Sequence, residues 1–311
     1  MKQVIFNIGG ALSTYVEFDN KKLLIDIGKN DVFNPIVDFL LPLYNRRRDN
    51  KNPNYGDKYI VDQLIISHPH KDHISSIVDF DKNFNSELLT CPNCNDGMPD
   101  GHNINWDLIG NEKDPSIIKL KEMLTGRHPP LRATADQNEW IYYLPPEDVE
   151  QHNELCQESY CNNISIAVFL IVNGHRIFMP GDLQKTGMEE ILKNNYTLRS
   201  RLKGGVDILI APHHGLQSSF CVSLFENMPY HRTRCLNIIS EKPNNPNESR
   251  TVDSRYSSSE YCMGINNLKY GSGQCNQVKT SRGHIYIDYS PRDYPTFEII
   301  TDNNTLITKF V

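Results

Sequence analysis

No apolar stretch in this chain of 311 residues is long enough to span a bilayer, so no membrane association is expected. Its first residues, MKQVIFNIGG, lack a basic segment followed by an apolar run and a cleavage site. Secretion is therefore not expected, the location is read as cytoplasmic, and this start reads as a first β-strand. Basic residues are in deficit. The 32 Lys and Arg stand against 38 Asp and Glu, giving a formal charge of −6. Such a balance argues against a surface broadly built for nucleic-acid backbones, although it leaves room for a local basic groove. There is no internal repeat and no low-complexity tract. Cysteines are present, at positions 91, 94, 156, 161, 221, 235, 262 and 275. With no leader, a disulfide framework is not expected, and most of these thiols are read as buried and reduced.

What is present has a clear order. Residues 4–8, 14–18 and 23–27 are short apolar or alternating runs separated by turn signals, a β-meander with Asn20 at a hairpin turn. Apolar spacing predicts a helix over 35–43. The polar segment 44–58 reads as a solvated loop, with a basic lip beside a cleft as the alternative. A buried strand over 63–67 leads to a helix over 73–80. Residues 82–158 show little periodicity and many Pro, Asn and Asp, and are read as an irregular insertion folded over one domain spanning 1–311. From Ile164 onward come a strand, a tight turn at Asn173-Gly174, a returning strand through Met179, a helix over 185–193 and a strand over 206–211. A helix after Gln217 and two or three closing strands complete the chain. Strands at both ends with helices between them predict two mixed β-sheets flanked by helices, an αββα sandwich.

Histidine is scarce, 11 residues in all, yet three fall with an aspartate in LIISHPHKDHIS, as His68, His70, Asp72 and His73. Alternate positions after a strand put His68 and His70 on one side, where they can share an ion. Asp72 and His73, at the turn into the next helix, can reach a second position. Imidazole and carboxylate suit zinc, manganese or iron. Further ligands stand at other strand ends: Asp182 in FMPGDLQ, and His213 and His214 in ILIAPHHGLQSS. Alone, a strand-end Asp is commonly a helix cap and paired histidines are commonly surface groups.

In this order, HPHKDH, PGD and APHHG resemble the metallo-β-lactamase-fold hydrolases. The NNIS at 162–165 together with PGD and APHHG further resembles the branch typified by the hydrolase domain of ComEC. That resemblance implies an αββα sandwich with two divalent ions, Zn or Mn. His68 and His70 would hold the first ion, Asp72 and His73 the second, and Asp182 would bridge them. One of the HH pair would complete the second site, with His213 favoured; the other, His214, would orient substrate or protonate a leaving group. Many family members place a third histidine before the strand preceding GD. Here that stretch reads CQESYCNNIS, so Asn162, Asn163 or a water is expected to take its place, and Asn163 is the metal candidate. Ions about 3.5–4 Å apart would acidify a bridging water, with Asp72 orienting the resulting hydroxide toward a phosphodiester.

Two further features carry expectations. Cys91 and Cys94 form CPNC, half of a structural zinc site whose other half would come from Cys156 and Cys161 or from His102; an ordinary reduced loop is the preferred reading. The polar stretch carrying Arg255, Lys269, Lys279 and Arg282 reads as a loop, with contact to a nucleotide backbone as the alternative. The leading function is a two-metal hydrolase of phosphodiesters, nucleic acid among the candidate substrates. The alternatives are a hydrolase of carboxylic esters, lactones or thioesters, and a non-catalytic metal-stabilised interaction module. Partner proteins in a larger system are a further expectation.

Overall fold

A computed structural model describes residues 1–18, 21–92, 104–125, 134, 136–228, 235–241, 251–261, 269–270, 273–274, 276–291 and 295–311. The strands are β1 (Lys2–Ile5), β2 (Ser13–Phe18), β3 (Lys21–Ile27), β4 (Tyr59–Ile65), β5 (Phe84–Thr90), β6 (Glu139–Tyr142), β7 (Ala167–Val172), β8 (His175–Met179), β9 (Ile208–Ile210), β10 (Leu236–Ile239), β11 (Lys269–Tyr270), β12 (Gly273–Gln274), β13 (Gln277–Lys279), β14 (His284–Asp288) and β15 (Thr296–Ile300). Seven of them form one sheet in the order β15-β14-β1-β2-β3-β4-β5, six form another in the order β13-β10-β9-β8-β7-β6, and β11 with β12 makes a short ribbon. Both large sheets are mixed. In the first, β3, β4 and β5 run parallel and the other pairs antiparallel. In the second, β8, β9, β10 and β13 run parallel, while β6–β7 and β7–β8 are antiparallel.

Alternation along the strands builds the layers. On β3, Leu23 and Ile25 face the other sheet and join Ile5, Val16 and Ile65 against Val168, Leu170, Ile177, Met179 and Ile208. Leu24 and Ile27 point the opposite way, into the layer shared with Phe39, Leu40 and Ile74. Strands buried on both faces read as unbroken apolar runs, which is why VFLIV stands out in the sequence. The αββα arrangement expected from the sequence is the one observed. The turn at Asn173-Gly174 also forms as expected, with both residues at positive φ.

Several local expectations are corrected. The closing residues are not a strand: Asn303–Thr308 is a helix, because the Asp302 side chain accepts the Thr305 amide and caps it. The segment 82–158 is not irregular throughout. It supplies β5 and β6, an outer strand of each large sheet, helices Pro115–Leu124 and Pro146–Gln151, and the first part of helix Asn153–Asn163. In β5, buried Ser86 breaks the apolar alternation that would have revealed it. The helix read over 73–80 is two short helices, Lys71–Ile74 and Ile77–Asn83, parted at Ser75 and Ser76. Those hydroxyls are engaged away from the helix, with the Lys29 amide and Asn34 Oδ1 respectively. The first four residues of the polar segment 44–58 continue a helix, Leu41–Arg47, in which Arg47 pairs with Glu17. The Asn20 turn lies outside the described residues. Among the described residues no helix is long and apolar enough to cross a membrane.

Phe310, just past the last helix, is buried with ring centroids 5.4 Å from Phe39, 5.5 Å from Tyr15 and 5.6 Å from Tyr286. Phe310→Ala is expected to cost about 3–5 kcal/mol of stability, readable as a lowered urea midpoint with unchanged slope.

Candidate metal centre

The expected site residues lie past the carboxyl ends of strands that have parallel neighbours, the position where open α/β sheets place their ligands. β4 delivers Ser67 to His73, β8 delivers Asp182, and β9 delivers His213 and His214. The two sheets bring these ends together: the amide of Ile166 donates to the Ser67 carbonyl, and that of His213 to the Gly181 carbonyl. Gly28 makes the approach possible, since a Cβ there would meet the Asp72 carbonyl oxygen at 2.0 Å.

The side chains converge. His68 Nε2 is 3.0 Å from His70 Nδ1 and 3.9 Å from Asp182 Oδ2. His73 Nε2 lies 3.3 Å from Asp182 Oδ2, and His214 Nε2 lies 3.6 Å from both Asp182 Oδ2 and Asp72 Oδ2. Nitrogen and oxygen ligands at 2.0–2.2 Å around a tetrahedral ion sit roughly 3.3 Å apart. The observed spacings therefore suit side chains sharing cations.

The second ring nitrogens explain why these faces point inward. His73 Nδ1 meets Asp26 Oδ2 at 2.8 Å, His68 Nδ1 meets Ser67 Oγ at 3.1 Å, and His214 Nδ1 faces the Ser240 carbonyl at 3.2 Å. A carbonyl only accepts, so His214 carries a proton on Nδ1 and turns Nε2 toward the carboxylates. Nε2 of both His73 and His214 is buried without a hydrogen-bond partner. Lone pairs facing carboxylates in a buried site repel unless a proton or a metal ion intervenes. Protonation alone serves the cluster poorly. Burial, reinforced by His73, holds His68 well below the ordinary imidazole value, whereas His73 is held well above it because Asp182 and Asp26 outweigh its burial. Burial would raise Asp182, yet His73 and His214 keep it well below the usual carboxylate range. The donor set fits divalent metal: His68 and His70 stand in one group, Asp72, His73 and His214 in another, and Asp182 lies within reach of both.

Two expected ligands are corrected. His213, favoured from sequence over His214, joins none of the assembled ligand groups: its Nδ1 faces Ser218 Oγ at 3.4 Å, and His214 is the ring aimed at Asp72 and Asp182. Both histidines adopt left-handed backbone, φ 44° and 58°, a conformation worth about 1–2 kcal/mol of strain per residue that side-chain spacing alone could not reveal. Asn163 is committed elsewhere. Its Nδ2 donates to the Leu155 carbonyl and to Glu158, and its Oδ1 accepts the Gln184 amide. In the vicinity reserved for a third ligand beside His68 and His70, the structure presents Cys161.

Sequence reasoning also missed Asp26. It is fully buried, accepts from the Ser67 amide and hydroxyl at 2.7 Å each, and orients His73. The available signal was a carboxylate inside the apolar run LLIDIG. The remaining sequence candidates do not assemble. Cys94 and His102 lie outside the described residues, and Cys91 is buried and free. Arg255 pairs with Asp253 and stacks on Phe220, and Lys279 pairs with Glu241.

No family model and no curated protein matches this chain. Among solved structures, Igni18, a metallo hydrolase from Ignicoccus hospitalis, is 12% identical over 93% of this chain and 100% of its own, with a TM-score of 0.41. The metallo-beta-lactamase fold protein YhfI from Bacillus subtilis is 14% identical over 68% of this chain and 71% of its own, with a TM-score of 0.31. Zn(2+)-bound PqqB from Methylobacterium extorquens is 9% identical over 68% of this chain and 72% of its own, with a TM-score of 0.34.

Metal titration should separate the two neighbouring histidines: His214→Ala loses one bound ion, whereas His213→Ala keeps the full complement. Asp26→Ala, which frees His73 to rotate, is expected to weaken metal binding by roughly 10–100-fold in competition with a chelator.

Proposed function

We propose that this protein is a metal-dependent hydrolase with two divalent ions and that its substrate is a phosphodiester. The observation that carries the reading is the pair of buried, unpartnered Nε2 atoms of His73 and His214 aimed at Asp182. The resemblance of NNIS, PGD and APHHG to the ComEC-type branch supports the substrate class. When bound, a pair of divalent cations supplies an acidified water and neutralises charge on the attacking and leaving oxygens.

The chain's own groups divide the remaining work. His68, His73 and Asp182 are buried and rigidly held, while the Asp72 side chain is 43% exposed and marks the open side. Substrate therefore approaches across Asp72 and His214. Burial alone would raise the Asp72 carboxyl, but His214 and His73 keep it far below neutrality. It stays an acceptor at neutral pH, suited to orient a water in the site. His213, left free of the cluster, takes the substrate-facing role. Burial lowers its imidazole below the ordinary value, so at neutral pH it offers a hydrogen bond rather than a proton.

The test is a substrate panel run on the reduced, zinc-loaded and manganese-loaded protein. Turnover of bis-p-nitrophenyl phosphate, DNA or RNA is expected, with esters, lactones and thioesters poor. His68→Ala and Asp182→Ala should each lower kcat/KM by on the order of a thousandfold, several kcal/mol of transition-state stabilisation. Preference for carboxylic esters would move the substrate class. Full metal content with no turnover would leave the interaction-module reading, and activity surviving both substitutions would refute the site.

A further inference from the structure

We infer that Cys161 is a metal ligand, completing with His68 and His70 a nitrogen–nitrogen–sulfur site for the first ion. The inference rests on the two-ion reading above and specifies its first half. Ligand atoms of His68, His70 and Cys161 all lie within 4.8 Å of one another, a span that one central cation can bring together with small side-chain rotations. His68 and Cys161 are both buried, so this is not a surface coincidence of polar groups.

The local backbone explains the placement. Helix Asn153–Asn163 is interrupted at Ser159, where φ −179° and ψ 104° are extended, and its last turn carries Tyr160 to Asn163 in a new direction. That turn is anchored from both sides. Asn163 ties it to Leu155 and to the Gln184 amide, and the Ile166 amide three residues past its end joins the Ser67 carbonyl beside His68. The anchored turn sets Cys161 against the HPH motif. The neighbouring Asn162 is held at the same place, its side chain reaching the imidazole of His70, so the turn that carries Cys161 is fixed directly against the HPH motif.

The chemistry narrows the choice of metal. A thiolate is a soft ligand that favours zinc or cobalt over manganese or magnesium. On binding, the S–H bond breaks, a sulfur–metal bond forms and the proton leaves to solvent, with no change of oxidation state. The missing third histidine is thus replaced by sulfur rather than by an asparagine or water. The first ion is then held as firmly as a tetrahedral site with two imidazoles and one thiolate allows.

Cobalt(II) reports on this directly. The reduced full chain, loaded with cobalt, should bind two ions and show a near-ultraviolet sulfur-to-cobalt charge-transfer band. Cys161→Ser should lose the band and weaken one ion by at least about tenfold, more than loss of an outer partner requires. Cys161→His should keep two ions without the band, which covers the case in which the serine variant fails to fold. Cys91→Ser should keep both ions and band. Two bound cobalts with no band in the parent protein, or a band surviving both Cys161 substitutions, would overturn the sulfur ligand while sparing the two-ion site. Failure to bind cobalt at all would overturn both.

Discussion

Imidazole lone pairs buried against carboxylates are the constraint around which this molecule is organised. His73 and His214 each spend one ring nitrogen on a fixed acceptor, Asp26 or the Ser240 carbonyl, and turn the other toward Asp182. Without a shared positive charge such an arrangement is repulsive, and in a poorly solvated interior the repulsion is weakly screened. Protons cannot satisfy every position, because Asp182 and Asp26 hold His73 well above the ordinary imidazole value against its burial, while burial beside His73 drives His68 toward neutrality. Divalent metal would resolve the conflict by giving the inward nitrogens and carboxylates a common partner.

The scaffold is suited to holding that tension. Each sheet contributes strands whose parallel pairing leaves their carboxyl ends together at one edge, and the apolar layer between the sheets locks the two edges in register. A rigid base matters because displacing a ligand by about 1 Å is enough to lose function at such a site. Around the metal-facing groups stands a layer of supporting contacts: Ser67 and Asp26 behind His68 and His73, Ser165 on the Asp182 amide, and Ser240 behind His214. The left-handed backbone at His213 and His214 is the strained part of this layer. It turns two adjacent histidines in different directions, one facing Asp72 and Asp182 and one with its Nδ1 facing Ser218.

Legibility in the sequence followed physical locality. HPHKDH was readable because its ligands are contiguous and follow an apolar strand, and the sandwich was readable because doubly buried strands leave continuous apolar runs. Of the two or three closing strands expected, β14 and β15 form and a helix follows because a single cap, Asp302, decides for it, while β5 is hidden behind a buried serine. Asn163 was a reasonable ligand by position, but its amide is claimed by helix and loop backbone that no spacing rule reveals.

By itself the amino-acid sequence determined the layer architecture and the chemical kinds present at the site, since hydrophobic period and residue type are properties of short segments. Only the tertiary structure decided that His214 rather than His213 faces the carboxylates, that Asp26 stands behind His73, and that Cys161 rather than Asn163 lies beside His68 and His70. Those choices depend on backbone dihedrals and on contacts between residues far apart in the chain. Directional bonds of a few ångströms are set by the packing of whole sheets, not by neighbours in sequence.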